Sequence, residues 1–245
     1  MHILHRRLGT ENNFRNLGVT FDTKLTMAEA AAEISREGGW RVSALLKPRR
    51  FFKLDELMRL YKSQVLSYLE NATPAIYHAA DSHLDLIDRV QRRFLREVGL
   101  SESDALEHFC LAPLSSRRCM AMLAVLHRIT LNIAPPQLCN LFPCANVPVR
   151  SARTRLESLR HSKQFLERRA STDVFQRSLF GLVRVYNMLP QSVVDVPSVR
   201  IFQGLLQDGL RRAAQAHISK WPDLFSPNAP PVDAHELQRL LKSRC

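Results

Sequence analysis

Four arginines recur along one short stretch of the chain at spacings of three, four and seven residues: Arg89, Arg92, Arg93 and Arg96. In an α-helix these spacings place the side chains on one face. A guanidinium group matches the geometry of phosphate oxygens, so an arginine face of this kind is suited to follow a nucleic-acid backbone. The alternative interpretation is a solvated helix face without a ligand.

A second basic patch precedes this face and consists of Arg49, Arg50 and Lys53. It permits the same two interpretations, contact with phosphates or simple solvation. We predict that both patches bind nucleic acid without regard to sequence. If four phosphates are contacted, the affinity should fall with salt at a log–log slope of about −3.6, or about 0.9 for each phosphate.

Metal-ligating residue types occur in two places. Cys139 and Cys144 have four residues between them, with His127 upstream and His161 downstream. Zinc sites use such pairs, but a second close pair is missing and a proline separates the thiols, so buried free thiols are the favoured interpretation. Three aspartates share a helix face: Asp81, Asp85 and Asp88. Favourable interaction with the helix dipole and pairing with the nearby arginines explain them without a metal.

A nucleophile and a base are also conceivable among His108, Cys110 and Cys119. Nothing in the sequence supplies the third group that would orient such a pair, and packing in the core explains these residues better. We therefore predict no catalytic residue, no metal ligand and no cofactor.

Composition sets the class of partner. The 245 residues contain 35 Lys and Arg against 23 Asp and Glu, which gives a net charge of +12 and favours an anionic partner. The five cysteines are an odd number, and the start MHILHRRLGTENN has no apolar core, so we expect reduced thiols in an intracellular protein, cytoplasmic or nuclear and not secreted. No run approaches the roughly 18 apolar residues of a membrane span, so no membrane partner is predicted.

The arginine face belongs to the second member of a predicted pair of helices over residues 54–98. Apolar residues of the first helix recur at helical spacing: Leu54, Leu57, Met58, Tyr61, Val65 and Tyr68. Apolar residues of the second helix lie opposite the arginines: Ile87, Val90, Phe94 and Val98. Gly99 is predicted to end the second helix, and Ser101 or Ser103 to cap the next one.

Helices dominate the rest of the chain as well. Before the pair, Leu17, Val19 and Phe21 alternate as in one β-strand, and Thr26 with Glu29 has the spacing of a capping box. The following helix contains Gly38-Gly39, where it can kink or split. After the pair, further helices are predicted over 117–132, 173–189, 199–217 and 235–242, and the run from Arg150 to Arg169 forms a basic arm.

Four segments in this order resemble the C-terminal region of non-LTR (LINE-type, jockey-like) retrotransposon reverse transcriptases. They are FRNLGVTFDTKLT, MRLYKSQVLSYLENATPAIYHA, LAPLSSRRCMAMLAVLHRI and RSLFGLVRVYNMLPQSVVDVPSVRIFQGLLQ, and the resemblance extends from Phe14 to Leu210. It implies a palm or primer-grip remnant over 1–25, a helical thumb-like domain over 26–133, a proline-containing linker and basic segment over 134–172, and a C-terminal helical region over 173–245. The predicted fold class is therefore mainly α: a helical thumb-like bundle and a C-terminal helical region, with a small N-terminal β-strand or hairpin remnant.

The sequence also departs from this family. The polymerase uses paired aspartates to hold two metal ions, and this chain has no Asp-Asp pair. Fingers, most of the palm and an endonuclease domain are absent, so we expect a truncated remnant that is not an enzyme as an isolated chain. The partner that the resemblance implies is RNA or an RNA–DNA duplex. Alternatives are a helical protein–protein adaptor, a non-functional remnant of the polymerase, and half of a split enzyme whose partner polypeptide supplies the missing palm.

Overall fold

The chain folds into helices with one small antiparallel sheet near the N-terminus, in a computed structural model that describes residues 13–145, 161–168, 172–227 and 234–241. The predicted fold class, mainly α with an N-terminal hairpin, is confirmed. The helices are α1 (Ala28–Leu46), α2 (Leu54–Leu60), α3 (Ser67–Asn71), α4 (Thr73–Ile76), α5 (Asp81–Val98), α6 (Glu102–Phe109), α7 (Leu114–Thr130), α8 (Pro136–Cys139), α9 (Asp173–Arg177), α10 (Leu179–Asn187), α11 (Gln191–Val194), α12 (Val199–Gln215) and α13 (Ala234–Leu241). A π-helical segment, Tyr61–Leu66, joins α2 to α3, and 3₁₀ turns occur at Arg49–Phe51 and Trp221–Asp223.

The hairpin consists of β1 (Asn13–Asn16) and β2 (Val19–Asp22), which pair antiparallel. Leu17 and Gly18 form its two-residue turn, with φ of 49° and 82°. Positive φ at both central positions is the geometry that matches the twist of two paired strands. The prediction of a strand through Leu17 was therefore wrong at that residue, because Gly18 permits the turn there.

The start of α1 depends on one carboxylate in the preceding turn. Asp22 accepts hydrogen bonds from the backbone N–H groups of Lys24 (3.1 Å), Thr26 (3.0 Å) and Met27 (2.8 Å). These bonds favour the ionised form and hold the pKa of Asp22 below its ordinary value. The predicted capping box of Thr26 and Glu29 is wrong, since the Glu29 carboxylate instead accepts a hydrogen bond from Asn13 of the hairpin.

Helix α1 is continuous through Gly38-Gly39, so the chain is not split there. A Cβ added to Gly38 would lie 2.5 Å from Cδ2 of Leu69 and 3.4 Å from Cγ1 of Val90. The missing side chain therefore lets α1 approach α3 and α5 closely. This close packing offsets the low helix propensity of the two glycines.

The predicted helical pair is present, although its first member is divided into α2, the π-helical segment and α3. The apolar faces of its two members meet at Tyr61 and Phe94, whose rings stack with centroids 4.1 Å apart. Ile87, Val90 and Phe94 are buried, as their spacing predicts. Gly99, with φ of 73°, ends α5, and Leu100 donates its N–H to the carbonyl of Leu95 in the manner of a Schellman motif.

A second hydrophobic cluster joins α7 to the helices that follow it. Leu123, Tyr186 and Phe202 are fully buried in it, on α7, α10 and α12. The predicted single helix over 173–189 is wrong, because the chain breaks at Ser178 between α9 and α10. The Ser178 hydroxyl accepts a hydrogen bond from the Phe180 N–H (3.2 Å) and so caps α10.

Packing crosses the boundary that the sequence placed at residue 133. Most buried side chains of α7 belong to the second cluster, whereas Leu114 at its start belongs to the first cluster, which contains the buried residues of α1 and α5. In the proline-containing linker, Cys144 forms an antiparallel bridge with Phe165. The basic arm from Arg150 to Arg169 lies mostly outside the described residues, and the domain boundaries stay predictions.

Among the described residues, one bent pair of helices has the length and composition of a membrane span. Within the described ranges, no single helix is both long and apolar enough to cross a bilayer, while α6 and α7, bent by 52°, meet those criteria together.

Candidate nucleic-acid interface

The arginines of the first basic patch are presented by α5, which lies beside α1. Two side-chain hydrogen bonds tie the helices together: Ser35 donates to the carbonyl of Leu86 (2.9 Å), and Arg93 donates to the hydroxyl of Ser43 (3.1 Å). The earlier residue of α1, Ser35, contacts the earlier residue of α5, Leu86, and the later residues Ser43 and Arg93 contact each other, so the two helices run parallel. The buried side of α5 faces the core, and its opposite side is left to solvent.

All four predicted arginines lie on that solvent side and are exposed. Arg89 and Arg92 share one partner, the carboxylate of Asp85, with 2.7 Å between Arg89 Nη2 and the nearer carboxylate oxygen. These hydrogen bonds hold the pKa of Asp85 below its ordinary value. The predicted pairing of an aspartate with Arg89 or Arg92 is therefore present.

The other two arginines carry no such neutralisation. Arg93 contacts only the uncharged hydroxyl of Ser43, and Arg96 has no ion pair among the described residues. Among the described residues, Asp85 is the only carboxylate that forms an ion pair with any of these four arginines. The face keeps a net positive charge.

The second patch lies at the end of α5. Arg49 donates to both the carbonyl oxygen (3.1 Å) and the carboxylate (3.0 Å) of Glu97, next in sequence to Arg96. The guanidinium group of Arg50 lies over the ring of Phe51, 4.7 Å from its centroid. Lys53 is exposed at the N-terminus of α2, where its backbone N–H donates to Glu56 (2.8 Å). The structure therefore brings the two predicted patches together, and their binding role stays a prediction.

The side of α5 that faces α7 is acidic. Asp88 forms a two-fold ion pair with Arg118, at 2.7 and 2.8 Å, and both side chains are largely buried. Beside it is a cleft of about 360 Å³, lined by Tyr77, Cys119 and several charged groups. The sequence analysis missed this pair, because 30 residues separate its members and the local signal paired Asp88 with arginines of its own helix.

The residues weighed as zinc ligands differ in their burial: Cys139 is half-buried and Cys144 is exposed, so the expectation of buried free thiols is wrong for Cys144, whereas both histidines are buried. His127 is buried, with one ring nitrogen 3.1 Å from the Tyr186 hydroxyl and the other 3.0 Å from the carbonyl of Val196. His161 is buried as well, 3.0 Å from the carbonyl of Tyr186. Burial lowers the pKa of both histidines. Within the part of the chain that the structure describes, no group of three or more His, Cys, Asp or Glu side chains is arranged to hold a metal.

The thiols weighed as nucleophiles are not brought together with a base. Cys119 is buried beside the Tyr77 hydroxyl (3.7 Å), and burial raises the pKa of its thiol to about 11. Cys110 is exposed and lies 2.9 Å from the guanidinium of Arg211. His108 stacks edge-on against Phe109. The buried thiol of Cys119 is therefore held protonated and is a poor nucleophile.

Comparison of this chain with protein-family models, curated proteins and solved structures gave no match.

Proposed function

We propose that this protein binds RNA or an RNA–DNA duplex without regard to sequence, through the arginine face of α5 and the adjoining patch at residues 49–53. One observation carries the proposal: all seven cationic residues of the two predicted patches are exposed, and the Arg49–Glu97 ion pair joins the patch at residues 49–53 to the end of α5. Phosphate contacts from such a surface supply affinity but no sequence information.

The charges on this surface favour an anionic ligand over solvation alone. A purely solvated helix face commonly alternates charge sign and pairs its cations. Here Asp85 serves two arginines, and Arg93 and Arg96 have no carboxylate partner among the described residues. An incoming phosphate therefore finds two guanidinium groups whose binding breaks no ion pair.

The proposal includes the origin of the chain: a reverse-transcriptase-like remnant, derived from a retrotransposon, with no polymerase activity by itself. Its support is the motif order from Phe14 to Leu210 together with the lack of an Asp-Asp pair in the sequence. Two-metal phosphoryl transfer needs carboxylates that hold both ions. Primer extension with Mg²⁺ or Mn²⁺ tests this part, and template-dependent synthesis by the purified chain would contradict it.

The binding test is fluorescence anisotropy with a labelled RNA–DNA hybrid at salt concentrations between about 50 and 200 mM. We expect binding that weakens with salt, and the four arginines of α5 should contribute a slope of about −3.6 at about 0.9 per phosphate contacted. Replacing all four arginines of α5 by alanine should abolish most of that slope. Absence of binding at low salt, by protein shown to be folded, would refute the proposal.

A matched control removes the same charge from elsewhere. Its four substituted arginines are exposed on the helices of the second cluster: Arg128, Arg184, Arg200 and Arg239. Equal losses in the two variants would mean that net charge alone attracts the nucleic acid. A protein–protein adaptor, the main alternative, should show weak and indifferent retention on heparin or RNA.

A second candidate, half of a split reverse transcriptase, has its own observation. The hairpin exposes Phe14 (57%) and Leu17 (91%), and within the described residues each of its strands has one unpaired edge. An open edge is a template for pairing with another chain. Primer extension after co-expression with a fragment that carries fingers and palm would support it, and no activity from a co-purifying pair would count against it.

A further inference from the structure

Exposed aromatic side chains are concentrated beside the arginine face. Among the large apolar side chains that are exposed within the described residues, four are aromatic: Phe14, Trp40, Phe51 and Phe52. Three of these fall between positions 40 and 52. Trp40 is 66% exposed and Phe51 is 72% exposed, so most of each ring faces water rather than the core.

The same stretch is strongly basic. Residues 36–53 include six cations and one acid, Glu37, which pairs with Arg41 on the same helix (3.0 Å). On α1, Arg36, Trp40 and Lys47 are spaced by four and seven residues, so they lie on one exposed face. The indole ring therefore has one cation a turn before it and another two turns after it.

Contacts place this aromatic surface next to the arginines of α5. Ser43 lies one turn beyond Trp40 and accepts the hydrogen bond from Arg93. Phe51 lies two residues beyond Arg49, which is bound to Glu97 at the end of α5. At 1.5 Å per helical residue, Trp40 and Lys47 are about 10 Å apart along α1. That length spans about three stacked nucleotides at about 3.4 Å for each along one strand.

We infer that this surface, made by Trp40 and Phe51 with their flanking cations, binds unpaired nucleotides of a single-stranded segment. The inference extends the proposed function, on which it rests, from duplex binding to a junction between a duplex and a single strand. Within a fully paired duplex the base faces stay stacked on one another, and only the terminal pairs expose a face to an aromatic ring. Unpaired bases stack on aromatic side chains, and every base has such a face, so this contact is also independent of sequence. The surrounding cations are complementary to the phosphates of that strand.

The experiment compares three labelled probes: a blunt RNA–DNA hybrid, the same hybrid with a single-stranded overhang, and the single strand alone. The protein contains two tryptophans, Trp40 and Trp221, and Trp221 is partly buried against the second cluster. A Trp221→Phe variant therefore leaves Trp40 as the sole fluorescent indole. We expect the overhang to quench Trp40 and to tighten binding about tenfold over the blunt hybrid, as stacking on an aromatic side chain does.

The Trp40→Ala/Phe51→Ala variant should bind both hybrids equally, at the affinity of the wild-type protein for the blunt one. The matched control replaces two exposed aliphatic residues elsewhere, Ile133→Ala and Ile201→Ala, and should keep the preference for the overhang. Equal affinity of wild-type protein for both hybrids, with unchanged Trp40 fluorescence, would overturn the inference and leave the proposed function standing. Binding of no probe at low salt would overturn the proposed function itself.

Discussion

The close approach of α1 to Leu69 of α3 predicts different effects of alanine at two adjacent glycines. Gly38→Ala adds a methyl group 2.5 Å from Cδ2 of Leu69, which is 2% exposed. Gly39→Ala adds the same group where no atom lies within 4 Å. Both substitutions bring the same gain in helix propensity, about 1 kcal/mol. Only the first one brings an overlap.

Overpacking of a filled core typically costs about 1–3 kcal/mol. Gly38→Ala should therefore change the free energy of unfolding by between about zero and a loss of about 2 kcal/mol, after the gain in propensity is deducted. Gly39→Ala should raise it by about 1 kcal/mol. The expected difference between the variants is the overlap cost itself, about 1–3 kcal/mol. In a Leu69→Ala background, where the overlapping atom is absent, Gly38→Ala should become stabilising.

Urea unfolding followed by far-ultraviolet circular dichroism measures these differences, with the wild-type protein and its four variants compared at a common m-value. In the double-mutant cycle, Gly38→Ala and Leu69→Ala together should destabilise the protein less than the sum of their separate effects, which is the specific signature of the contact. Equal stabilisation by Gly38→Ala and Gly39→Ala would refute the reasoning, because it would mean that α1 does not lie against Leu69.

Three further predictions follow from named contacts. Asp85→Asn removes the carboxylate shared by two arginines, so affinity for the RNA–DNA hybrid should rise about twofold to fivefold in anisotropy titrations; a loss of affinity would mean that Asp85 positions them. Asp88→Asn leaves Arg118 buried without its counter-charge and should cost about 3–5 kcal/mol of unfolding free energy in urea, while Arg118→Met with Asp88→Asn should recover much of that loss. Folding lowers the pKa values of His127 and His161, so the unfolded chain binds protons at a higher pH than the folded protein does. The contribution of these histidines to the free energy of unfolding is therefore complete above the ordinary histidine pKa of 6.5 and is lost as the pH falls below it. If the urea concentration at the unfolding midpoint stays the same when the pH is lowered from about 7.5 to about 5.5, this assignment is contradicted.

Local signals in the sequence were sufficient for the element that matters most. The apolar spacing along α5, Gly99 after its end and the cap formed by Ser101, whose hydroxyl accepts from the Asp104 N–H (3.1 Å), all act within a few residues, and each was found where the sequence predicts it. The exposure of the arginines followed from the same periodicity. These features can be predicted because the interactions that decide them are close in sequence.

Contacts between distant residues decided what the sequence analysis missed. Gly38-Gly39 indicated a break by propensity alone, and only Leu69, 31 residues later, shows why Gly38 belongs in a continuous helix. Asp88 belonged by spacing to the α5 arginines, yet Arg118 of α7 holds it. The union of the two basic patches depends on Arg49 and Glu97, which are 48 residues apart. Helical periodicity carries no information on such pairs.

The division of charge around α5 limits the direction from which a ligand can bind. Asp88 and the cleft beside it face α7, and the salt bridge to Arg118 neutralises the buried carboxylate there. The arginines occupy the exposed face of α5, and Asp85, which also lines the cleft, pairs with Arg89 and Arg92. A polyanion is therefore attracted to the arginine face, next to the exposed ring of Trp40 on α1. In an adaptor whose charge serves only solubility, arginines on any helix should contribute equally to nucleic-acid binding. The matched variants test this by comparing the affinity lost when four arginines are removed from α5 with the affinity lost when four are removed elsewhere.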